Sequence, residues 1–166
     1  MTPAADRAGP IKAERPHELR LTFLASCEDI RHALSDLRTF LRDAGIDADE
    51  RGTVEIVLAE VLNNVAEHAY AMREPGKVWL DVTLEEESLI ADITDAGVPL
   101  PGLCLPAGRN PAPDAAISSL SRHDLPEGGF GWFLIRSLTS TLRYRRVAGR
   151  NHLHLAMDLA ASDASD

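Results

Sequence analysis

Residues 54–70 read VEIVLAEVLNNVAEHAY. Val54, Val57, Leu58, Val61, Leu62 and Val65 recur at three- and four-residue steps, which predicts a helix with one buried face. Glu60, Asn64 and His68 stand at i, i+4 and i+8, so a regular helix carries them along a single polar line beside that face. A carboxylate and a carboxamide one turn apart can serve one site in two ways. The first can take a proton, and the second can offer an oxygen to a hard cation. Standing alone, the pattern is also that of an ordinary solvated helix flank.

Working outward, residues 18–26 (ELRLTFLAS) place Leu19, Leu21 and Phe23 on one side with polar neighbours on the other, the alternation of a strand. Ser26 reads as an N-cap, with Asp29 in the place of the capping-box acid. Ile30, Ala33, Leu34, Leu37, Phe40 and Leu41 give the helix that follows its core stripe, and Gly45 stops it. Asp47 or Asp49 can cap the central helix, and residues 73–76 (REPG) end it in a turn. Residues 77–84 (KVWLDVTL) and 88–94 (SLIADIT) alternate around the acidic turn 85–87, which predicts an antiparallel pair. Residues 141–147 (TLRYRRV) and 151–159 (NHLHLAMDL) predict a closing hairpin turned at 148–150.

The segments between these elements carry the chemistry. Asp95, Ala96, Gly97, Val98 and Pro99 (DAGVP) follow a strand end. They form either a plain turn or a site where a carboxylate accepts a hydrogen bond from an exocyclic amine and a glycine admits a flat ring. Residues 100–127 lose regular patterning, with prolines at 101, 106, 111, 113 and 126, and read as a long functional or disordered loop. Gly128, Gly129 and Gly131 (GGFG) open a further helix, either as a hinge or as an anion cradle of bare backbone N–H groups. The cluster follows no strand and has no adjoining lysine, so it is neither the Rossmann nor the Walker pattern. Trp132 and Phe133 read as core or pocket wall. His152 and His154 read as exposed histidines rather than metal ligands, and Arg143, Arg145 and Arg146 as a solvated strand face or a partner surface.

The bulk properties narrow the function. A chain of 166 residues suits one domain with its own core. Hydrophobic residues make up 45% and charged residues 26%, an ordinary globular balance. A net charge of −9 argues against direct nucleic-acid binding and fits a soluble protein or one with a basic partner. Cys27 and Cys104 lack metal-ligand spacing and are too few for a disulfide framework, which suggests a reducing, cytoplasmic setting. No run approaches the roughly 20 apolar residues of a membrane span, and none resembles a signal peptide. The expected organisation is a tail over 1–16, a domain over 17–160 and a second tail over 161–166.

Glu60-xxx-Asn64-xxx-His68 on a helix, Asp95-x-Gly97-x-Pro99 after a strand and Gly128-Gly129-x-Gly131 entering a helix, in that order, resemble the GHKL (Bergerat) ATP-binding fold. Within it the phrases LAEVLNNVAEHAY, DAGVP, LPEGGFGWFLIRSL, RYRR and GRNHLHL resemble the stand-alone anti-sigma-factor serine/threonine kinases, over residues 19–159. The resemblance implies an α+β fold: a two-layer α/β sandwich with a mixed, mostly antiparallel sheet and helices on one face. It also implies roles. Glu60 stands at the general-base position and Asn64 at the ligand of the Mg2+ that bridges the phosphates of ATP, with His68 shaping the pocket. Asp95 would bond the adenine amine above Gly97. Gly129 and Gly131 would bring N–H groups to the phosphates, and residues 100–127 would be the ATP lid. The sequence departs from the pattern at Pro99, where glycine often stands, and at Ser140, where aspartate often stands.

The implied activity is that of an ATP-binding anti-sigma regulatory factor that phosphorylates a serine or threonine of a STAS-type anti-sigma antagonist, switching partners with a sigma factor or similar target. The alternative is a non-catalytic, ATP-dependent partner-binding module of the same fold. Histidine-kinase catalytic modules usually carry asparagine where Glu60 stands. Homodimers are common in the family, and no residues here place an interface.

Overall fold

The computed structural model describes residues 17–71, 74–108 and 130–160. The expected tails over 1–16 and 161–166, Gly129, and the lid beyond residue 108 lie outside the described residues. Among the described residues the elements follow in the order β1 (Glu18–Leu24), α1 (Cys27–Asp43), α2 (Ala48–Asn64), a π-helical turn (Val65–Ala69), β2 (Lys77–Leu84), β3 (Ser88–Asp95), a 3₁₀ turn (Pro101–Leu103), α3 (Phe130–Leu138), β4 (Thr141–Val147) and β5 (Arg150–Asp158).

Local chemistry sets the helix boundaries. The Asp29 N–H donates to Ser26 Oγ at 3.1 Å, capping α1. Gly45, at φ 80°, stops that helix. Its N–H donates to Arg42 O and the Ile46 N–H to Leu41 O, both at 3.0 Å, the paired closure of a Schellman end. Asp47 is the cap chosen for α2: its Oδ1 accepts from the N–H groups of Asp49 and Glu50 at 2.8 and 3.1 Å. The α-helix that follows stops at Asn64, and the chain continues as one wider turn closed by the Tyr70 N–H on Val65 O at 3.0 Å. The single line expected for Glu60, Asn64 and His68 therefore runs from α2, which carries the first two, into the π turn, which carries His68.

The five strands lie in the order β1-β2-β3-β5-β4, and all four pairings are antiparallel. Period-2 alternation turns Val78, Leu80 and Val82 of β2, Leu89, Ala91 and Ile93 of β3, and Leu153, Leu155 and Met157 of β5 to one face. Leu37 and Leu41 of α1, Val57, Leu58 and Val61 of α2 and Ile135 of α3 cover that face in a single core. Each large aliphatic side chain so buried contributes about 1.5–3 kcal/mol. The result is the two-layer α+β sandwich, with the helices on one side of the sheet. Among the described residues no helix is long and apolar enough to cross a membrane.

Candidate functional site

At one end of the sandwich, the end of α2 and its π turn stand away from the ends of β3 and β5. Between them lies a hollow of about 580 Å³, within the usual range for small-molecule sites. Asn64 and His68 line its helix side, Asp95 and Asn151 its sheet side, and Trp132 of α3 and Tyr144 of β4 close it laterally. Val61, Val65, Ile93 and Leu153 make most of the surface between them apolar.

Asp95 is the chemical centre of the sheet side. It is the last residue of β3 and only 4% exposed, because it takes an inward position in an otherwise apolar row. In register it lies opposite Asn151, the first inward residue of β5. Asn151 Nδ2 donates to Asp95 Oδ1 at 2.8 Å, and the Gly97 N–H donates to the same oxygen at 2.8 Å. Among the described residues no donor reaches Oδ2. Burial pushes the Asp95 carboxyl up from its ordinary value, while the bonds from Asn151 and Gly97 and the charges of Arg146 and His152 pull the other way.

Asn151 is itself held from all sides. Its Oδ1 accepts from Tyr144 Oη at 2.8 Å and from Arg146 Nη1 at 2.6 Å, and its Nδ2 also donates to Val98 O at 3.1 Å. Tyr144 Oη accepts from the Leu100 N–H at 3.1 Å, and Arg146 Nη1 donates to Gly97 O at 3.0 Å. The loop after β3 is thus bonded to the β4–β5 hairpin at successive points. On the helix side the Val98 N–H donates to Ala69 O at 2.7 Å. Tyr70 Oη accepts from the Ala96 N–H at 3.0 Å and donates to Lys77 O at 2.8 Å. Burial pushes the Tyr70 phenol up, so it keeps the proton it donates.

Gly97 permits this approach. A Cβ there would stand 2.6 Å from the Ala69 carbonyl carbon and 2.7 Å from its Cβ, distances no real side chain keeps. Gly97 faces a shallower depression beside Tyr70 and Arg146 rather than the hollow itself, so contact with the π turn alone requires a glycine.

The other end is built from Glu60, Asn64 and Gly131. Glu60 and Asn64 lie one turn apart on α2, and α3 crosses them through Gly131. A Cβ on Gly131 would lie 2.6 Å from Glu60 Oε2 and 3.9 Å from Asn64 Nδ2. Asn64 Nδ2 is buried with no hydrogen-bond partner among the described residues. Buried amides are almost always satisfied, so an unpartnered one beside a hollow marks a place for a ligand. Rotation of the same carboxamide presents its oxygen, the donor type a hard cation takes. An acceptor at one end of the hollow, an unpartnered carboxamide at the other and apolar walls between them fit a molecule with a flat amine-bearing ring and a charged tail.

The structure therefore brings Asn64, His68 and Asp95 to one hollow, with Glu60 and Gly131 adjoining Asn64, Gly97 behind the wall and Gly129 outside the described residues. Asn151, Tyr144, Arg146 and Tyr70 were not among the sequence-predicted site residues. For Asn151 a signal existed: it is the one polar residue on the inward face of NHLHLAM. Tyr144 and Arg146 share the inward face of TLRYRRV. As expected, Trp132 is a buried wall. His152 and His154 are half-buried rather than exposed, because Thr94 and Asp92 hold them against the outer face of the sheet.

Residues 23–157 match the family described as "Histidine kinase-like ATPase domain". The chain is 34% identical over 108 residues to a serine/threonine-protein kinase of Bordetella bronchiseptica named BtrW, covering 63% of this chain and 68% of that one. It is 25% identical over 139 residues to the serine-protein kinase RsbW of Halalkalibacterium halodurans, covering 84% and 82%. An anti-sigma F factor of Bacillus licheniformis is 28% identical over 87 residues, or 52% of this chain, and the match spans only 60% of that relative's length. In shape, 86% of the chain superimposes with a TM-score of 0.57 and 19% identity on a crystal structure of the RsbU and RsbW domains of a Mycobacterium tuberculosis protein, covering 32% of it.

Proposed function

Because the chain belongs to the histidine kinase-like ATPase domain family, we propose that it binds ATP with Mg2+ in the hollow and is an anti-sigma regulatory kinase. Its substrate would be a serine or threonine of a STAS-type anti-sigma antagonist, and its second partner a sigma factor or similar regulator. The observation that carries this reading is the pairing, across one hollow, of Asp95 with an unclaimed Oδ2 and Asn64 with an unclaimed amide. Names of relatives that are kinases or anti-sigma factors support the same reading.

Each residue then has a task its position suits. Asp95 Oδ2 accepts from the adenine amine while Oδ1 stays tied to Asn151 and the Gly97 N–H. Asn64 offers its carboxamide oxygen to the cation, and His68 walls the pocket. Glu60 takes the proton of the incoming hydroxyl, and Gly131, without a side chain, leaves that carboxylate room and bares its N–H toward the phosphates. Gly129 would extend that cradle. ATP supplies the phosphoryl group and Mg2+ spreads its charge, so the protein's share is positioning and neutralisation.

The test is incubation of the full chain with labelled Mg-ATP and a small STAS-type antagonist. Transfer of label that disappears in Glu60→Gln, while ATP still raises the melting temperature of that variant, supports the assignment. ATP stabilisation with no transfer to any antagonist would favour the non-catalytic holding module. Absence of any ATP-induced stabilisation would remove both.

A further inference from the structure

The back of the sheet, opposite the helices, has a chemistry of its own. Thr94, His152 and Arg145 form one cross-strand row there, and Asp92, His154 and Arg143 the next. These side chains line a groove of about 390 Å³. His152 Nδ1 lies 3.1 Å from Thr94 Oγ1, and His154 Nδ1 lies 2.9 Å from Asp92 Oδ1. Both imidazoles are thus held by one ring nitrogen, and among the described residues nothing bonds either Nε2. Arg143 and Arg145 are exposed, and among the described residues no carboxylate pairs with them. Arg150, two positions before His152 on the same face, lies 4.6 Å over the Trp79 ring and likewise has no carboxylate partner among them. Elsewhere the exposed arginines 20, 38 and 42 are paired with Glu18, Glu55 and Asp43, Arg136 donates to the carbonyls of Pro106 and Leu105, and Arg31 on α1 stands singly without a carboxylate partner among the described residues.

A chain of net charge −9 therefore keeps three arginines without a carboxylate partner among the described residues on one half of one face, where the groove's one carboxylate, Asp92, is taken up by His154. We propose that this groove docks an extended acidic segment of a protein partner, two of its carboxylates, two residues apart, meeting Arg143 and Arg145. Side chains at i and i+2 share one face of a strand about 6.5–7 Å apart, and an extended peptide repeats that spacing. Each guanidinium fork matches a carboxylate with two parallel bonds. The strong negative charge of the whole chain repels long polyanions and anionic bilayers, so a short acidic stretch is the anion that can approach. The groove and the hollow lie on opposite faces, so the proposal does not rest on the nucleotide reading.

The probe is a fluorescein-labelled Ser-Glu-Ser-Glu-Ser-Glu-Ser peptide, titrated with the full chain by anisotropy without nucleotide. Saturable binding is expected below about 1 mM, weakened at least about tenfold in R143Q/R145Q and within about twofold of wild type in R42Q, an arginine far from the groove. Should the double variant lose its circular-dichroism signature, R145E alone replaces it, with the same expected loss. The proposal is overturned by absence of saturation, by binding that survives loss of the two arginines, or by equal weakening in R42Q. Equal affinity for a peptide with the glutamates placed consecutively, for a serine–lysine peptide, or for phosphatidylserine vesicles would overturn it as well.

Discussion

Replacing Asp95 with asparagine separates what that position does for the fold from what it does for a ligand. The amide oxygen can still accept from the Gly97 N–H and Asn151 Nδ2, each now 2.8 Å from Asp95 Oδ1, so the loop remains tied to β5. The second atom, however, changes from an acceptor to an N–H donor and would face the adenine amine, another donor. Loss of a hydrogen bond to a charged group costs about 1.5–3 kcal/mol. That predicts ATP binding weakened by roughly 10–150-fold. Stability should move the other way. Burial holds the folded-state pKa of Asp95 above its ordinary value of 3.8, so between the two values the native chain retains a proton the unfolded chain has released. The unfolded state then binds fewer protons, and this group's contribution falls as pH rises through that window, leaving a penalty at neutral pH. Asparagine has no such titration. Titration calorimetry with Mg-ATP and urea midpoints from about pH 4 to about pH 7.5 read the two effects apart. A variant that binds ATP within about twofold of wild type would refute the assignment of Asp95 to the base. A stability difference that ignores pH would refute the account of its burial.

Other substitutions test the remaining contacts. Gly97→Ala drives a methyl into the Ala69 backbone and should destabilise by about 1–3 kcal/mol in urea unfolding. Gly131→Ala meets a side-chain carboxylate instead, so its melting temperature should change little while Glu60 is displaced; phosphotransfer should fall more than ATP affinity. Asn151→Ala strands Asp95, Tyr144 and Arg146 together, for an expected loss of about 2–4 kcal/mol and weaker ATP binding, read by unfolding and calorimetry. Leu37→Ala, at a fully buried position far from the hollow, should cost about 2–5 kcal/mol with ATP affinity of the folded protein unchanged.

Much of this architecture is legible in the residues because it is local. Ser26, Gly45 and Asp47 act within a few positions of themselves, and the alternation of KVWLDVTL and SLIADITD states which side chains face the core whatever they pack against. The i, i+4 spacing of Glu60 and Asn64 survives for the same reason, since both lie inside the regular part of α2. Beyond Asn64 a periodicity of 3.6 cannot foresee a π turn, although His68 still reaches the hollow that Asn64 lines.

The sequence by itself determined the elements and their buried faces, because helix and strand periods are properties of a few consecutive residues; that the acid, amide and glycine residues belong to one site was only what the family resemblance implied. Only the tertiary structure decided that Asn151 meets Asp95 across 56 residues, that Gly97 is required by the π turn, and that Arg143 and Arg145 share a groove with His152 and His154. Those contacts depend on strand order and register, in which β5 inserts between β3 and β4, and no short stretch of chain encodes that choice.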